Sequence, residues 1–121
     1  MERRKFAYRY RYNKSYIKNG NGIEEVRWGT RDSVRPDFYN EITKHCVDIK
    51  NYTVTTQSGR DSLVCNVVDQ YNKRVLIFPN DTSFEVVIDV RGQAWTQEML
   101  DDITHMIIEQ TNGNMTVSFM N

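Results

Sequence analysis

The chain is poor in the residues from which familiar catalytic and metal sites are built. Its 121 residues include only two cysteines and two histidines. Cys46 and Cys65 are too few for the disulfide framework of a small secreted protein, and no Cys/His spacing resembles a zinc site. No glycine pattern matches a phosphate loop or a dinucleotide fingerprint, and the nucleophile-elbow pattern is missing. We therefore expect no metal and no cofactor, and a protein that is not an enzyme.

The two histidines do not change this expectation. His45 precedes Cys46, but neighbouring residues of the helix predicted there point apart, so the two do not form a catalytic dyad. His105 lies in a predicted helix, four residues after Asp101 and three after Asp102. This pattern is typical of a surface histidine beside a carboxylate. Weak metal binding or acid–base chemistry by these three residues is the alternative.

Long apolar segments are also missing. No apolar stretch follows the basic amino end as in a signal peptide, and no run is long enough to cross a membrane. We expect a single domain over residues 1–121 that is cytoplasmic, in the host cell if a phage encodes it. The chain begins with Met1, which is typical of a complete short reading frame.

Charge is balanced overall but unevenly distributed. Residues 1–37 carry ten lysines and arginines against five acids, a net charge of +5, and the rest carries six against eleven, a net charge of −5. A basic front and an acidic back favour anion binding at one end. The same polarity favours self-association, so a homo-oligomer is expected.

The most strongly patterned stretch is residues 3–12, in which aromatic and basic residues alternate. Phe6, Tyr8, Tyr10 and Tyr12 share one side of an extended chain, with Arg9 and Arg11 on the other, as in a β-strand with two different faces. Asn19-Gly20 predicts a tight hairpin turn, and residues 23–28 form the returning strand. In this hairpin Glu24 or Glu25 would face the arginines.

The remaining segments predict an α+β fold built mainly on an antiparallel sheet. A short central helix is predicted over about 36–47, from Pro36 and the four-residue spacing of Phe38, Ile42 and Cys46. Strands follow at 52–56, 62–69, 74–78 and 84–90, connected as a meander. A strong helix over about 96–111 has Thr96 as its N-cap, and a final strand follows at 115–119.

Three clusters combine arginines with aromatic rings and are the candidate ligand-binding residues. They are Arg9 and Arg11 among the tyrosines, Arg27 and Trp28 with Arg31, and Arg91 with Trp95. Guanidinium groups bind phosphate and stack on bases, and aromatic faces stack on nucleobases. Each cluster has a plain structural alternative: edge-strand charges over core aromatics, a strand-end tryptophan in the core, and a hydrophobic staple before the Thr96 helix.

The stretch from Arg4 to Asn13, Arg-Lys-Phe-Ala-Tyr-Arg-Tyr-Arg-Tyr-Asn, resembles the basic-aromatic ends of small phage-encoded counter-defence proteins. One likeness is to anti-Thoeris proteins, which sequester a cyclic ADP-ribose signal. It implies an oligomer that holds a nucleotide-derived signal, or a cyclic oligonucleotide, intact between subunits. The other likeness is to anti-CRISPR proteins. It implies an inhibitor that binds a nucleic-acid-binding effector of bacterial immunity directly. In such an inhibitor the basic strand would extend the partner's sheet or cover its acidic groove.

Overall fold

The structure is a computed structural model that describes residues 10–121. Its strands are β1 (Tyr10–Tyr12), β2 (Ser15–Asn19), β3 (Gly22–Val26), β4 (Phe38–Asn40), β5 (His45–Lys50), β6 (Ser83–Asp89) and β7 (Met115–Met120). Its helices are α1 (Gln57–Arg74) and α2 (Gln97–Gln110). The expected α+β class is confirmed.

The strands form two sheets. The larger has the order β1-β4-β5-β6-β7, and β2 and β3 form a separate hairpin. The pairs β1–β4, β4–β5 and β2–β3 are antiparallel, whereas β6 runs parallel to both β5 and β7. The sheet is therefore mixed but rich in antiparallel pairs, as the mainly antiparallel class predicted, and only the meander predicted for the strands between 52 and 90 is wrong.

The parallel pairs arise because a helix connects each of them. α1 joins β5 to β6, and α2 joins β6 to β7. Crossovers of this kind are almost always right-handed, so two successive ones that advance in one direction place their helices on one face. The two helices indeed contact each other. The core lies between them and the sheet residues Cys46, Phe84, Val86, Ile88 and Met115.

The helix predicted over 36–47 is wrong, because this segment forms β4, a turn and β5. The Asn40 side-chain oxygen accepts hydrogen bonds from the backbone N–H groups of Ile42 and Thr43, at 2.9 and 3.0 Å. Such a local bond gives the backbone an alternative to the helix. Lys44 then adopts φ 55°, which reverses the chain. The four-residue spacing of Phe38, Ile42 and Cys46 was accidental.

The strands predicted at 62–69 and 74–78 are also wrong, since α1 spans 57–74 and the N–H groups of Ile77 and Phe78 turn back to the Arg74 carbonyl. Thr56 caps the helix by accepting from the Gly59 N–H. The buried side chains recur at helical spacing: Leu63, Val64, Val67, Tyr71 and Arg74. The segment predicted as a strand at 52–56 has no strand structure.

A hairpin is confirmed here, but its turn is Gly20-Asn21, one residue later than the predicted Asn19-Gly20, and its partner strands differ from those predicted. Gly22 pairs with Asn19, and Gly20 has φ 60°. Asn13, at φ 53°, separates β1 from β2, and its N–H donates to the Asp37 carbonyl. Strand β1 therefore pairs with β4 and not with residues 23–28, so Glu24 and Glu25 oppose Ile17 and Tyr16.

The elements predicted between residues 84 and 119 are confirmed. Strand β6, helix α2 with its Thr96 cap and strand β7 all form within two residues of their predicted bounds. Among residues 10–121, no helix has both the length and the apolar character needed to cross a membrane.

Candidate functional site

The first candidate site is an exposed loop that follows β3. Its residue Trp28 is 74% exposed, and Arg27, Arg31 and Arg35 are also exposed. The guanidinium carbon of Arg35 lies 5.6 Å from the Trp28 ring centroid, within the range of a cation–π contact. We call these four residues the Trp28 surface.

Two consecutive turns shape this loop. The Thr30 hydroxyl donates to the Arg27 carbonyl at 2.6 Å, and the Ser33 hydroxyl donates to the Thr30 carbonyl at 2.6 Å. Gly29 and Asp32 adopt positive φ values of 85° and 61°. The hydrogen bonds of the Thr30 and Ser33 hydroxyls stabilise these turns, so Arg27 and Arg31 are attached to an ordered backbone.

The far end of the loop is fixed to the core. Val34 and Tyr16 exchange two backbone hydrogen bonds, at 2.9 and 3.0 Å, and Tyr16 is 1% exposed. The Arg35 carbonyl accepts from the buried Arg74 guanidinium at 3.4 Å. Arg35 is thus positioned beside Trp28 by contacts on either side of it.

The expected grouping of Arg27, Trp28 and Arg31 therefore occurs on one loop. Strand β3 ends at Val26, so Arg27 and Trp28 lie in the loop beyond it and not in the strand predicted over 23–28. Trp28 is exposed and is therefore not a core residue. Arg35 was not among the predicted site residues. The only signal for it in the sequence was its basic character in the same loop.

Arg91 and Trp95 have other partners. The Arg91 guanidinium binds both carboxylate oxygens of Asp89, at 2.9 and 2.8 Å. These bonds are the main reason that the pKa of Asp89 is lowered. Trp95 packs against the hydrophobic core. An anion at the α2 N-terminus would have to compete with Asp89 for Arg91.

Of the first cluster, Arg11 lies in β1 with its guanidinium 3.8 Å from the Glu41 carboxylate, and both side chains are more than half exposed. Arg9 lies outside the described residues. Because an exposed pair of this kind is weak, Arg11 can still contact a partner.

The acids near His105 do not assemble with it. Asp102 binds Arg60 at 3.1 Å, and Asp101 accepts from Gln97 at 2.8 Å. His105 lies 3.2 Å from Glu109, one turn further along α2. Each group has a different partner, so these contacts form no acid–base pair between His105 and the two aspartates.

A polar network on the sheet was missed by the sequence analysis. His45, Ser83, Glu85 and Ser118 meet there through hydrogen bonds of 2.6 to 2.9 Å. Because β5 is a strand, His45 and Cys46 lie on opposite faces, and Cys46 is buried. The members are up to 73 positions apart in sequence, so no local motif marks them.

Comparison of the chain with protein-family models, with curated proteins and with solved structures finds no match.

Proposed function

We propose that the protein is a binding protein whose Trp28 surface holds a phosphate-bearing nucleotide ligand without converting it. The observation that carries this proposal is the Arg35 guanidinium placed 5.6 Å from the ring centroid of Trp28, a residue that remains 74% exposed. A large exposed aromatic surface loses contact with water when a base stacks on it, which contributes about 1–3 kcal/mol per base.

The three arginines supply the phosphate recognition. Each guanidinium offers five donors in a plane and binds phosphate oxygens in pairs. One acid, Asp32, lies within residues 27–35 beside Arg27, Arg31 and Arg35. The loop therefore carries excess positive charge next to the stacking ring, as a nucleotide requires.

A role in counter-defence, as the resemblance suggests, would consist of withholding a cyclic ADP-ribose-type signal or a cyclic oligonucleotide from its receptor. Such a ligand leaves the site intact. The Trp28 surface as described supplies stacking and ion pairing, which suit retention. A homo-oligomer would let two such surfaces enclose one ligand.

The direct test is calorimetric titration with ADP-ribose and with a cyclic dinucleotide, supported by mass spectrometry of ligands extracted from the purified protein. Trp28→Ala and Arg35→Ala should each weaken binding by about 1.5–3 kcal/mol. Arg91→Ala is the matched control, an exposed arginine that is already bound to a carboxylate, and it should leave the affinity unchanged. Equal losses in Arg91→Ala and Arg35→Ala would contradict this location of the site.

The second candidate function is inhibition of a protein effector, and the position of β1 favours it. Within residues 10–121, β1 forms one edge of the larger sheet. A partner strand can add to such an edge through backbone hydrogen bonds. Co-purification with a nuclease, lost on Arg11→Pro in β1 and retained in Trp28→Ala, would favour this function over nucleotide binding.

A further inference from the structure

The second site lies on the face of the larger sheet opposite the helices. Register places His45 of β5 beside Ser83 of β6, with Glu85 two residues further on the same face. Ser118 of β7 pairs with Val87, the next residue of β6 on this face. Four polar side chains from three adjacent strands therefore lie together on one rigid surface.

The hydrogen bonds of this cluster converge on the Glu85 carboxylate. His45 Nδ1 lies 2.6 Å from Ser83 Oγ, and His45 Nε2 lies 2.9 Å from Glu85 Oε1. The Ser118 hydroxyl donates to the other oxygen of Glu85, at 2.9 Å. An ionised carboxylate only accepts hydrogen bonds, so the ring proton belongs on Nε2. In the neutral ring Nδ1 then holds a lone pair, directed at the Ser83 hydroxyl.

This order of groups is that of an activated serine: a carboxylate orients the imidazole, and the imidazole accepts the serine proton. The side chains of His45 and Glu85 are 24% and 27% exposed, so they are partly shielded from water. Ser83 itself is exposed and can meet a reagent. The Lys44 carbonyl is a longer alternative acceptor for its hydroxyl, at 3.5 Å.

Tyr10 adds to the shielding. Tyr10 pairs with Asn40 and Asn40 pairs with His45, so the Tyr10 side chain lies on the same face of the sheet as His45. The pKa of Tyr10 is raised, first by burial and then by the negative charge of Glu85. The phenol therefore lies within electrostatic range of the carboxylate. An ordinary surface serine needs neither a partly buried His–Glu pair beside it nor a second hydroxyl, here that of Ser118, to orient the carboxylate.

We propose that Ser83 is a nucleophile with His45 as its general base, a second site beyond the nucleotide-binding surface. Ser83 Oγ attacks an acyl carbonyl or a phosphonyl phosphorus and forms an ester, while its proton passes to His45 Nδ1. The bond to the leaving group breaks, and the leaving group departs with the bonding electron pair. Glu85 and Ser118 are positioning residues. This assignment departs from the sequence-based expectation that the protein is not an enzyme.

The backbone N–H of Ser83 is not available as an oxyanion donor. The backbone N–H of Ser83 already donates to the Lys44 carbonyl, at 2.9 Å. It is therefore not available to stabilise the negative oxygen of a tetrahedral intermediate, a contribution that is worth about 100-fold or more in rate where it is present. Because this oxygen develops in both the attack and the release step, we expect Ser83 to react with reagents that carry a good leaving group, in one-to-one amounts, and to release the acyl or phosphonyl group slowly.

A fluorophosphonate tests the proposal, since it transfers its phosphonyl group to activated serines with loss of fluoride. Intact-mass and peptide analysis should show one adduct per chain, at Ser83, formed much faster than at Ser62, the control serine exposed on α1. Ser83→Ala should abolish that adduct. His45→Gln should slow labelling by about 100-fold, in line with loss of a general base.

Ser118→Ala should slow labelling several-fold and Ser118→Thr, which keeps the hydroxyl, should restore it. A purely structural role for Ser118 would change the melting temperature and not the labelling rate of the folded protein. Should His45→Gln fail to fold, Glu85→Gln keeps the imidazole but removes the carboxylate that orients it, and it should also slow labelling; an unchanged rate in that variant overturns the proposal. Labelling of Ser83 no faster than Ser62 in the wild-type protein, or an unchanged rate in folded His45→Gln, overturns the proposal.

Discussion

Arg74 and Asp48 form a buried ion pair between the end of α1 and the centre of β5. The Arg74 guanidinium donates to Asp48 Oδ2, and the two residues are 8% and 6% exposed. Asp48 Oδ1 accepts from the Asp37 N–H at 3.0 Å, and the Lys50 ammonium lies 3.9 Å from Oδ2. The carboxylate thus has a partner on each side and joins the helix to the sheet.

Removing one member of this pair should be costly, because the other charge remains buried. We expect Arg74→Met to lower the free energy of unfolding by about 3–5 kcal/mol, measured by urea denaturation. The double variant Asp48→Asn/Arg74→Met should recover part of the loss, since the asparagine oxygen still accepts from the Asp37 N–H.

Lys73→Met is the matched control for Arg74→Met. Lys73 is the preceding residue, and its 3.2 Å pair with Asp69 is about two-thirds exposed on both sides. Its loss should change stability by less than about 1 kcal/mol. Similar losses in the two variants would show that burial of the Arg74 pair contributes nothing.

Gly59 lies in the first turn of α1, where alanine would ordinarily favour the helix by up to about 1 kcal/mol. Here an added Cβ would lie 2.0 Å from the Thr53 carbonyl oxygen, a backbone atom that cannot move freely. We therefore expect Gly59→Ala to destabilise the protein by about 1–3 kcal/mol. Ser62→Ala, on the exposed side of the same helix, should be neutral or slightly stabilising; a stabilising Gly59→Ala would contradict the close approach.

The sequence predicted those elements whose signals are local. Thr96 before a helical stripe predicted α2, and Asn19-Gly20 predicted a hairpin, whose turn lies one residue later, at Gly20-Asn21. Helix α1 was missed because several of its residues are poor helix formers and because one member of its buried side is a charged Arg74, which the apolar pattern does not count. Its stability comes from packing and from Asp48, which is 26 positions away from Arg74 in the sequence.

The candidate site residues were likewise predictable only where they are neighbours in the sequence. Arg27, Trp28 and Arg31 could be grouped from the sequence because they are neighbours. Arg35 reaches Trp28 only because Val34 bridges to Tyr16, 18 positions earlier. The network around His45 depends on the parallel register of β5 and β6, which the meander prediction excluded.

The two cysteines should differ sharply in reactivity. Cys46 is 1% exposed, and burial raises the pKa of its thiol to about 12, so little thiolate forms at neutral pH. Cys65 is exposed on α1. A disulfide reagent should titrate one thiol per native chain and two in guanidinium chloride. In Cys65→Ser the native protein should not react; rapid reaction of that variant would show that Cys46 is accessible.

The ion pair of Arg91 and Asp89 can show whether a ligand binds at the Trp28 surface or at the start of α2. Hydrogen bonds from Arg91 are the main cause that lowers the pKa of Asp89. A carboxyl whose folded pKa is lowered stabilises the protein above its unfolded pKa, and that stabilisation is lost as the pH falls through the folded value. In Arg91→Gln the Asp89 pKa, followed by carbon-detected NMR, should rise towards its ordinary value, whereas Arg27→Gln should leave it unchanged.

Addition of ADP-ribose should also leave the Asp89 pKa of the wild-type protein unchanged if the Trp28 surface binds it. A ligand-induced rise would mean that the phosphate takes Arg91 from Asp89, and the site would then lie at the start of α2.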